Sequence, residues 1–295
     1  MVAAIPALVY GLVSLRLPES PRYLVRKGDM TRAAEVLETV TGAVDVDAKI
    51  KEITSTIDTE RKESLRDLRG SRLGLKPIVW VGILLSVFQQ FVGINVIFYY
   101  STTLWQSVGF DESSALLTSV ITSVTNIVVT IIAILLVDKV GRRIMLLVGS
   151  VGMTVTLGLM ALAFSFGTLD AEGAATLPDP WATVALICAN GFVVFFGATW
   201  GPLVWVLLGE IFPNSIRAGA LAVAAAAQWA ANFFISTTFP IFADIGLTFA
   251  YGFYAFFALL SFFFVYFKVP ETKGKELEEM TDELTVERRG TRKAT

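Results

Sequence analysis

Residues 77–110 read PIVWVGILLSVFQQFVGINVIFYYSTTLWQSVGF and contain no Asp, Glu, Lys or Arg. A helix needs roughly 20 consecutive apolar residues to cross about 30 Å of hydrocarbon, because it rises about 1.5 Å per residue. This stretch is therefore long enough to span a bilayer. Five further uncharged stretches are also long enough: 113–137, 144–169, 180–209, 218–243 and 245–267.

The composition agrees with a membrane protein and excludes several classes of soluble protein. Hydrophobic residues make up 54% of the chain and charged residues 17%, against about 25% charged residues in soluble domains. The net charge of −2 argues against a basic nucleic-acid-binding protein. With no histidine and one cysteine, Cys188, the chain has no histidine triad, Cys/His metal site or disulfide framework. We expect neither a cofactor nor a bound metal.

The basic residues predict which ends of the spans face the cytoplasm. Cytoplasmic loops of membrane proteins are enriched in Lys and Arg, and here the alternate loops carry acidic residues instead. The 24 Lys and Arg residues lie at Arg16, in 18–76, in 138–143, at Arg217, or from Lys268 onward. Residues 18–76 and the tail 269–295 are therefore predicted to be cytoplasmic, in a multi-pass protein of the cell membrane.

Segments before the spans complete the predicted organisation. Residues 1–17 are apolar but too short for a full span, and we interpret them as the end of a further membrane helix. Residues 18–76 combine Ser20-Pro21, a typical helix start, with apolar residues near helical spacing, which predicts a cytoplasmic helical subdomain. A solvated charged linker is the alternative for that segment. The six spans occupy 77–268.

Polar side chains within the spans indicate a candidate binding site. Polar groups are costly in hydrocarbon, so they indicate function or contacts between helices. Amides donate and accept hydrogen bonds, as sugar hydroxyls do, and tryptophan offers a flat apolar face to a sugar ring. Amides and aromatics without a mid-membrane carboxylate favour a neutral polyol over an ion. The residues are Gln89, Gln90, Asn95, Tyr99 and Tyr100 in the first span, Trp200 and Trp205 in the fourth, and Gln228, Trp229 and Asn232 in the fifth.

Two glycines bear on whether these residues meet. Gln89 and Asn95 lie about 240° apart on a straight helix, so they do not share a face. A local break at Gly93 would bring them together, and Gly201-Pro202 would interrupt the fourth span in the same way. Interrupted helices at corresponding positions of two repeats indicate a transporter site. For any single amide, an ordinary hydrogen bond between helices is the alternative.

Six motifs resemble those of the sugar porter family of the major facilitator superfamily, in family order over nearly the whole chain. They are Pro18-Glu19-Ser20-Pro21-Arg22; Gln89-Gln90 with Gly93, Asn95 and Tyr99-Tyr100; Asp138-Lys139-Val140-Gly141-Arg142-Arg143; Gly201-Pro202, Trp205 and Glu210-Ile211-Phe212-Pro213 with Arg217; Gln228-Trp229 with Asn232; and Pro270-Glu271-Thr272-Lys273-Gly274. The resemblance implies an all-α membrane protein: the six-helix C-terminal half of a major facilitator fold, a 3+3 inverted repeat, with preceding cytoplasmic helices. The repeats would be 77–167 and 180–267.

The resemblance also implies roles for particular residues. The sugar would be contacted from the seventh, tenth and eleventh helices of the family by Gln89, Gln90, Asn95, Tyr99, Trp205 and Gln228. A cytoplasmic charge network that holds the outward-facing state would comprise Glu19, Arg22, Asp138, Arg142, Glu210, Arg217 and Glu271. We expect its pairs to act as a gate rather than as structural staples, because partly exposed ion pairs add only about 0–1 kcal/mol to stability.

The function that these features predict is secondary transport of a neutral sugar or polyol, by proton symport or by facilitated diffusion. A complete family member has twelve spans. The resemblance therefore implies that the first five helices and most of the sixth are absent, and that an N-terminal half is the partner that transport requires. An inactive transporter fragment and a membrane sugar sensor are the alternatives. Without a nucleophile–base pair, metal cluster or phosphate loop, we do not expect an enzyme.

Overall fold

The computed structural model describes residues 4–41, 45–59, 65–72, 74–106, 111–169 and 175–274. Most of the predicted tail, from residue 275 onward, lies outside this part of the chain. The chain divides into two compact units between Glu63 and Ser64. This division precedes the predicted one at residue 76, because Leu68 belongs to the core of the second unit and its carbonyl accepts the Lys76 N–H at 2.8 Å.

Short helices form the described part of the first unit. They are α1 (Ala4–Ser14), α2 (Pro21–Lys27), α3 (Met30–Val36), which continues into one π-helical turn, and α4 (Val46–Thr59). The Asp29 carboxylate caps α3 by accepting the Arg32 N–H at 3.2 Å. Leu24, Val25 and Ala33 are buried together. The segment predicted to be helical therefore has helices with a small core, and its cytoplasmic location stays a prediction.

Six spans dominate the second unit, each long and apolar enough to cross a membrane in the part of the chain that the structure describes. The first comprises α5 (Pro77–Phe91) and α6 (Ile94–Tyr99) and is followed by the short α7 (Ser101–Gln106); the fourth comprises α10 (Trp181–Ala198) and α11 (Trp200–Ile211). The others are α8 (Glu112–Val140), α9 (Arg142–Ser165), α12 (Arg217–Ile245) and α13 (Leu247–Lys268). The prediction of six spans is confirmed, with their ends moved by a few residues.

Very short strands lie in the connections between the helices. β1 (Arg69–Arg72) precedes α5. Between α9 and α10, β2 (Thr168–Leu169) pairs antiparallel with β3 (Ala175–Thr176), and Thr168 lies opposite Thr176. The helices therefore form the whole architecture of the unit, and the strands only close a connection.

Local sequence explains where several spans begin and end. Pro77 stands in the first turn of α5, where its missing N–H costs no hydrogen bond. Asp111 caps α8, accepting from the Ser113 hydroxyl and from the Ser114 N–H, and these bonds lower the pKa of the Asp111 carboxyl to about 2. A single residue, Gly141, separates α8 from α9.

Some polar side chains in the core of the second unit form hydrogen bonds between helices. α9 packs against α10 and α13, while α5 packs against α12. The buried Trp200 indole N–H contacts the Leu146 carbonyl at 3.1 Å and the Ser150 hydroxyl at 3.0 Å. The Ser150 and Ser261 hydroxyls lie 2.9 Å apart. These bonds hold α9, α11 and α13 together inside the unit, because the Trp200 indole and the Ser150 and Ser261 hydroxyls have their partners on neighbouring helices.

Candidate functional site

The first span is interrupted inside the polar motif. Gly93, at φ +82°, stands between α5 and α6. This left-handed conformation costs glycine little and other residues more. A Cβ on Gly93 would lie 2.7 Å from the Tyr254 ring, so the break also brings backbone against an aromatic side chain. The predicted break at Gly93 is therefore present, and only glycine fits it without strain.

The fourth span is interrupted at the corresponding place in the second repeat, but not at the predicted residues. The break falls at Thr199, whose φ of −136° and ψ of −88° end α10 and start α11. Gly201-Pro202 lies within the first turn of α11 instead. Proline is tolerated there because the first backbone N–H groups of a helix have no intrahelical acceptor.

Gln89 connects the two breaks. Its side-chain Nε2 donates to the Trp200 carbonyl at 2.9 Å and to the Gly201 carbonyl at 3.0 Å. The side chain is buried, and its Oε1 has no hydrogen-bond partner among the described residues. Gln89 therefore positions the first span against the start of α11 and retains one buried acceptor.

Gln90 and Asn95 meet across the break in the first span. Asn95 Nδ2 donates to Gln90 Oε1 at 2.6 Å. The expectation that Asn95 would meet Gln89 is wrong, because the break turns Asn95 toward Gln90 while Gln89 reaches the other broken span. The other atom of each amide is not used in this contact: Gln90 Nε2 can still donate a hydrogen bond, and Asn95 Oδ1 can still accept one.

The fifth span adds a further amide. Gln228 is 8% exposed, and its Oε1 is buried without a hydrogen-bond partner in the part of the chain that the structure describes. Asn232, one turn along, accepts the Ser236 hydroxyl at 2.9 Å. Tyr99 and Trp205 are 60% and 44% exposed. The predicted sugar residues thus comprise buried amides with unused acceptors and aromatic rings with open faces.

Three of the predicted gate residues form an ion-pair cluster at one end of the second unit. Arg142 donates through Nε and Nη2 to the two carboxylate oxygens of Glu210, at 3.1 and 2.7 Å. Its Nη2 also lies 2.9 Å from Asp138 Oδ1. The side chain of Arg142 is 12% exposed, whereas that of Asp138 is 80% exposed. The Arg142–Glu210 pair is therefore bidentate and largely withdrawn from water.

Glu271 joins this cluster through backbone groups rather than through a cation. Its carboxylate accepts the N–H groups of Arg142 and Arg143 at 2.9 and 3.1 Å, which caps the start of α9. A Cβ on Gly141 would lie 2.8 Å from the same carboxylate. The Thr272 hydroxyl donates to Glu210 Oε2 at 2.6 Å. Sequence reasoning missed Thr272, although it stands beside Glu271 in the same motif.

Within the second unit, Arg217 stands apart from this cluster. Arg217 Nε donates to the Phe212 carbonyl at 3.2 Å, and Arg217 forms no ion pair with a described residue. It begins α12 and is drawn to the carbonyl that α11 leaves free at its end. Glu19 and Arg22 belong to the first unit, where both are exposed. Their part in a gate stays a prediction.

Comparison with known proteins identifies the family of this chain. The model of the family described as "Sugar (and other) transporter" matches residues 1–284. The glucose transport protein of Synechocystis sp. is 54% identical over 277 residues, which cover 94% of this chain and 59% of that protein. The D-xylose-proton symporter of Escherichia coli K12 is 40% identical over 283 residues, 94% of this chain and 54% of that protein.

The solved structures agree with the sequence matches. The proton:xylose symporter XylE bound to 6-bromo-6-deoxy-D-glucose superposes with a TM-score of 0.74 at 37% identity, over 95% of this chain and 57% of that one. An inward-open structure of XylE from E. coli gives a TM-score of 0.71 at 35% identity, over 94% and 54%. Both are matched over slightly more than half of their length.

Six spans with two matching interruptions define half of a major facilitator fold, which confirms the predicted fold class. The chain belongs to the sugar porter family of the major facilitator superfamily, as its motifs indicated. It spans 54–59% of the length of these relatives. The relatives are transporters and not enzymes.

Proposed function

We propose that this chain carries sugar-binding groups of a secondary transporter that moves a neutral sugar or polyol across the cell membrane. The observation that supports this most is the junction of two broken spans, where Gln89 connects α5 to α11. Broken spans at matching repeat positions are where transporters bind substrates. The relatives, a glucose transport protein and a D-xylose-proton symporter, favour a monosaccharide.

Hydrogen-bonding capacity around this junction suits an uncharged polyol. Gln228 Oε1 and Gln89 Oε1 are buried acceptors without partners in the described residues, and a sugar hydroxyl would supply the missing donor. Gln90 Nε2 and Asn95 Oδ1 offer a donor and an acceptor side by side. The exposed rings of Tyr99 and Trp205 offer apolar faces to the C–H groups of the sugar. No formal charge is needed at any of these contacts.

Transport requires a second half that moves against this one. Alternating access in this superfamily rests on two bundles that rock around a central site. We propose that the chain acts together with another six-helix half and that 18–76 and 269–295 lie in the cytoplasm. In the described spans, carboxylates occur only near the ends, as at Asp138 and Glu210. A proton-coupling acid, in a symporter, therefore belongs to the other half.

A chimera tests this proposal directly. Residues 1–295 are joined to the preceding part of the Synechocystis glucose transport protein and expressed in cells without glucose uptake. We expect the chimera to restore uptake of radiolabelled glucose or xylose, whereas 1–295 alone, inserted to the same level, gives none. A stable, membrane-inserted chimera that transports neither sugar, or uptake by 1–295 alone, contradicts the proposal.

Single amides are expected to contribute modestly to sugar affinity. In the chimera, Gln228→Ala and Gln90→Ala should each weaken binding roughly two- to tenfold, because a hydrogen bond between neutral groups is worth about 0.5–1.5 kcal/mol. Binding is measured by competition for labelled sugar on purified protein. Asn190→Ala is the matched control, since Asn190 accepts the Thr122 hydroxyl between α8 and α10. Unchanged affinity in both test variants assigns these amides to helix packing.

A further inference from the structure

An apolar groove runs along the surface formed by α9, α10 and α13. Its volume is about 450 Å³. Residues 147–155 of α9 line its length, and among them Val148, Val151 and Val155 are each about half exposed. Phe195 of α10 and Phe262 of α13 close its sides. None of the predicted sugar residues lies on α9 or α13, so the groove is separate from the candidate sugar site.

A cation stands at one end of this groove. Arg143 Nη2 donates to the Tyr266 carbonyl at 2.7 Å, and the guanidinium lies 5.7 Å from the centre of the Tyr266 ring. The Tyr266 ring stacks on Phe262, with ring centres 6.2 Å apart and planes 13° apart. Arg143 Nε is buried and has no hydrogen-bond partner among the described residues. The Arg143–Tyr266–Phe262 row therefore joins a cation with an unused donor to the apolar groove.

Distances along α9 match one leaflet of a bilayer. Arg143 lies in the first turn of α9, which begins at Arg142. At about 1.5 Å per residue, 147–155 lie roughly 6–18 Å deeper than Arg143. Half of the hydrocarbon core is about 15 Å thick. A headgroup at Arg143 would thus place an acyl chain of the same lipid along the groove.

We propose that this groove, with Arg143 at its end, binds an anionic glycerophospholipid. The phosphate accepts from the Arg143 guanidinium, and one acyl chain packs against Val148, Val151 and Phe262. Charge complementarity favours an anionic lipid, because each Lys or Arg near the membrane surface contributes about a fivefold preference. The uncharged groove wall favours a hydrocarbon chain over a polar partner. A lipid bound there joins the outer surfaces of α9 and α13.

The headgroup contact is tested on the purified chain 1–295 in detergent, with phosphatidylglycerol and phosphatidylcholine competing for binding. Retained lipid is counted by native mass spectrometry. We expect a preference for phosphatidylglycerol that falls about fivefold in Arg143→Gln and is largely kept in Arg143→Lys. Lys139→Gln, which removes an exposed cation from the neighbouring end of α8, should leave the preference unchanged. Equal retention of the two lipids by the unaltered chain overturns the proposal.

The acyl contact is tested by filling the groove. Val151→Trp should reduce retention of both lipids, because the indole occupies the volume that the acyl chain needs. Val120→Trp makes the same change on α8, where Val120 is 59% exposed outside the groove, and should not reduce it. Helical circular dichroism and elution volume confirm that each variant is folded. Unaltered phosphatidylglycerol binding in both folded Arg143→Gln and folded Val151→Trp is incompatible with this site.

Discussion

Glu210→Ala should lower the stability of the second unit far more than Asp138→Ala. Glu210 receives two hydrogen bonds from Arg142, whose side chain is 12% exposed, and a third from Thr272. Removing one partner of a buried ion pair costs about 3–5 kcal/mol, because the other charge stays buried without compensation. Glu210 is itself 31% exposed, so we expect the lower end of that range. Asp138, at 80% exposure, contributes about 0–1 kcal/mol.

Thermal unfolding of the chain in detergent, followed by circular dichroism, measures this difference. The double variant Arg142→Ala with Glu210→Ala provides the control, since it removes both charges and should recover part of the lost stability. Equal losses for Asp138→Ala and Glu210→Ala contradict the assignment of the buried pair. The assignment is also contradicted if the double variant loses as much stability as Arg142→Ala and Glu210→Ala lose together.

The expectation that these ion pairs are weak staples stays a prediction for the exposed Asp138, whereas the low exposure of Arg142 predicts a larger contribution from its pair with Glu210. The Arg142–Glu210 pair and the Glu271 cap tie α9, α11 and the segment after α13 to one another within a single unit. A gating role stays our proposal, and it requires that this cluster changes its contacts between states. Such a change is measured as the accessibility of cysteines from the cytoplasmic side of the chimera. Glu210→Ala should raise this accessibility. If it does not change, the cluster contributes to stability only.

The spans could be predicted from sequence because hydrocarbon excludes charge. Within 77–267, every uncharged stretch that is long enough to cross the hydrocarbon core contains a span in the structure. The break at Gly93 was also predictable, because the amides on either side of it would lie on different faces of a straight helix. The break at Thr199 was not, because Gly201-Pro202 is the stronger local signal and proline is tolerated in the first turn of α11.

The contacts of the site depend on geometry that the sequence does not record. Whether Asn95 meets Gln89 or Gln90 follows from the rotation across a two-residue break. The partners of Gln89 are backbone carbonyls more than a hundred residues away, which no side-chain pattern indicates. Arg217 was assigned to the charge network by its motif, but its contact is the Phe212 carbonyl. Motifs therefore supplied the candidate site residues, while tertiary packing decided which groups pair.

Gly93→Ala is expected to damage the candidate sugar site more than the loss of any single amide. Alanine pays about 1–2 kcal/mol to hold the left-handed conformation at φ +82°. Its Cβ would also stand 2.7 Å from the buried Tyr254 ring, and overpacking of this kind costs about 1–3 kcal/mol. The break should therefore straighten or shift, which separates Asn95 from Gln90 and moves Gln89 away from α11.

Sugar binding by the chimera should then fall well beyond the two- to tenfold loss expected for Gln90→Ala, because Gly93→Ala disturbs both amide contacts at once. Gly209→Ala is the matched control: it lies within α11, where an added Cβ meets nothing within 4 Å. Alanine there should keep full affinity and gain a few tenths to about 1 kcal/mol of stability, since glycine is the poorer helix former. If Gly93→Ala binds sugar as Gly209→Ala does, the break does not organise the site. The amides of the first span would then act only in helix packing.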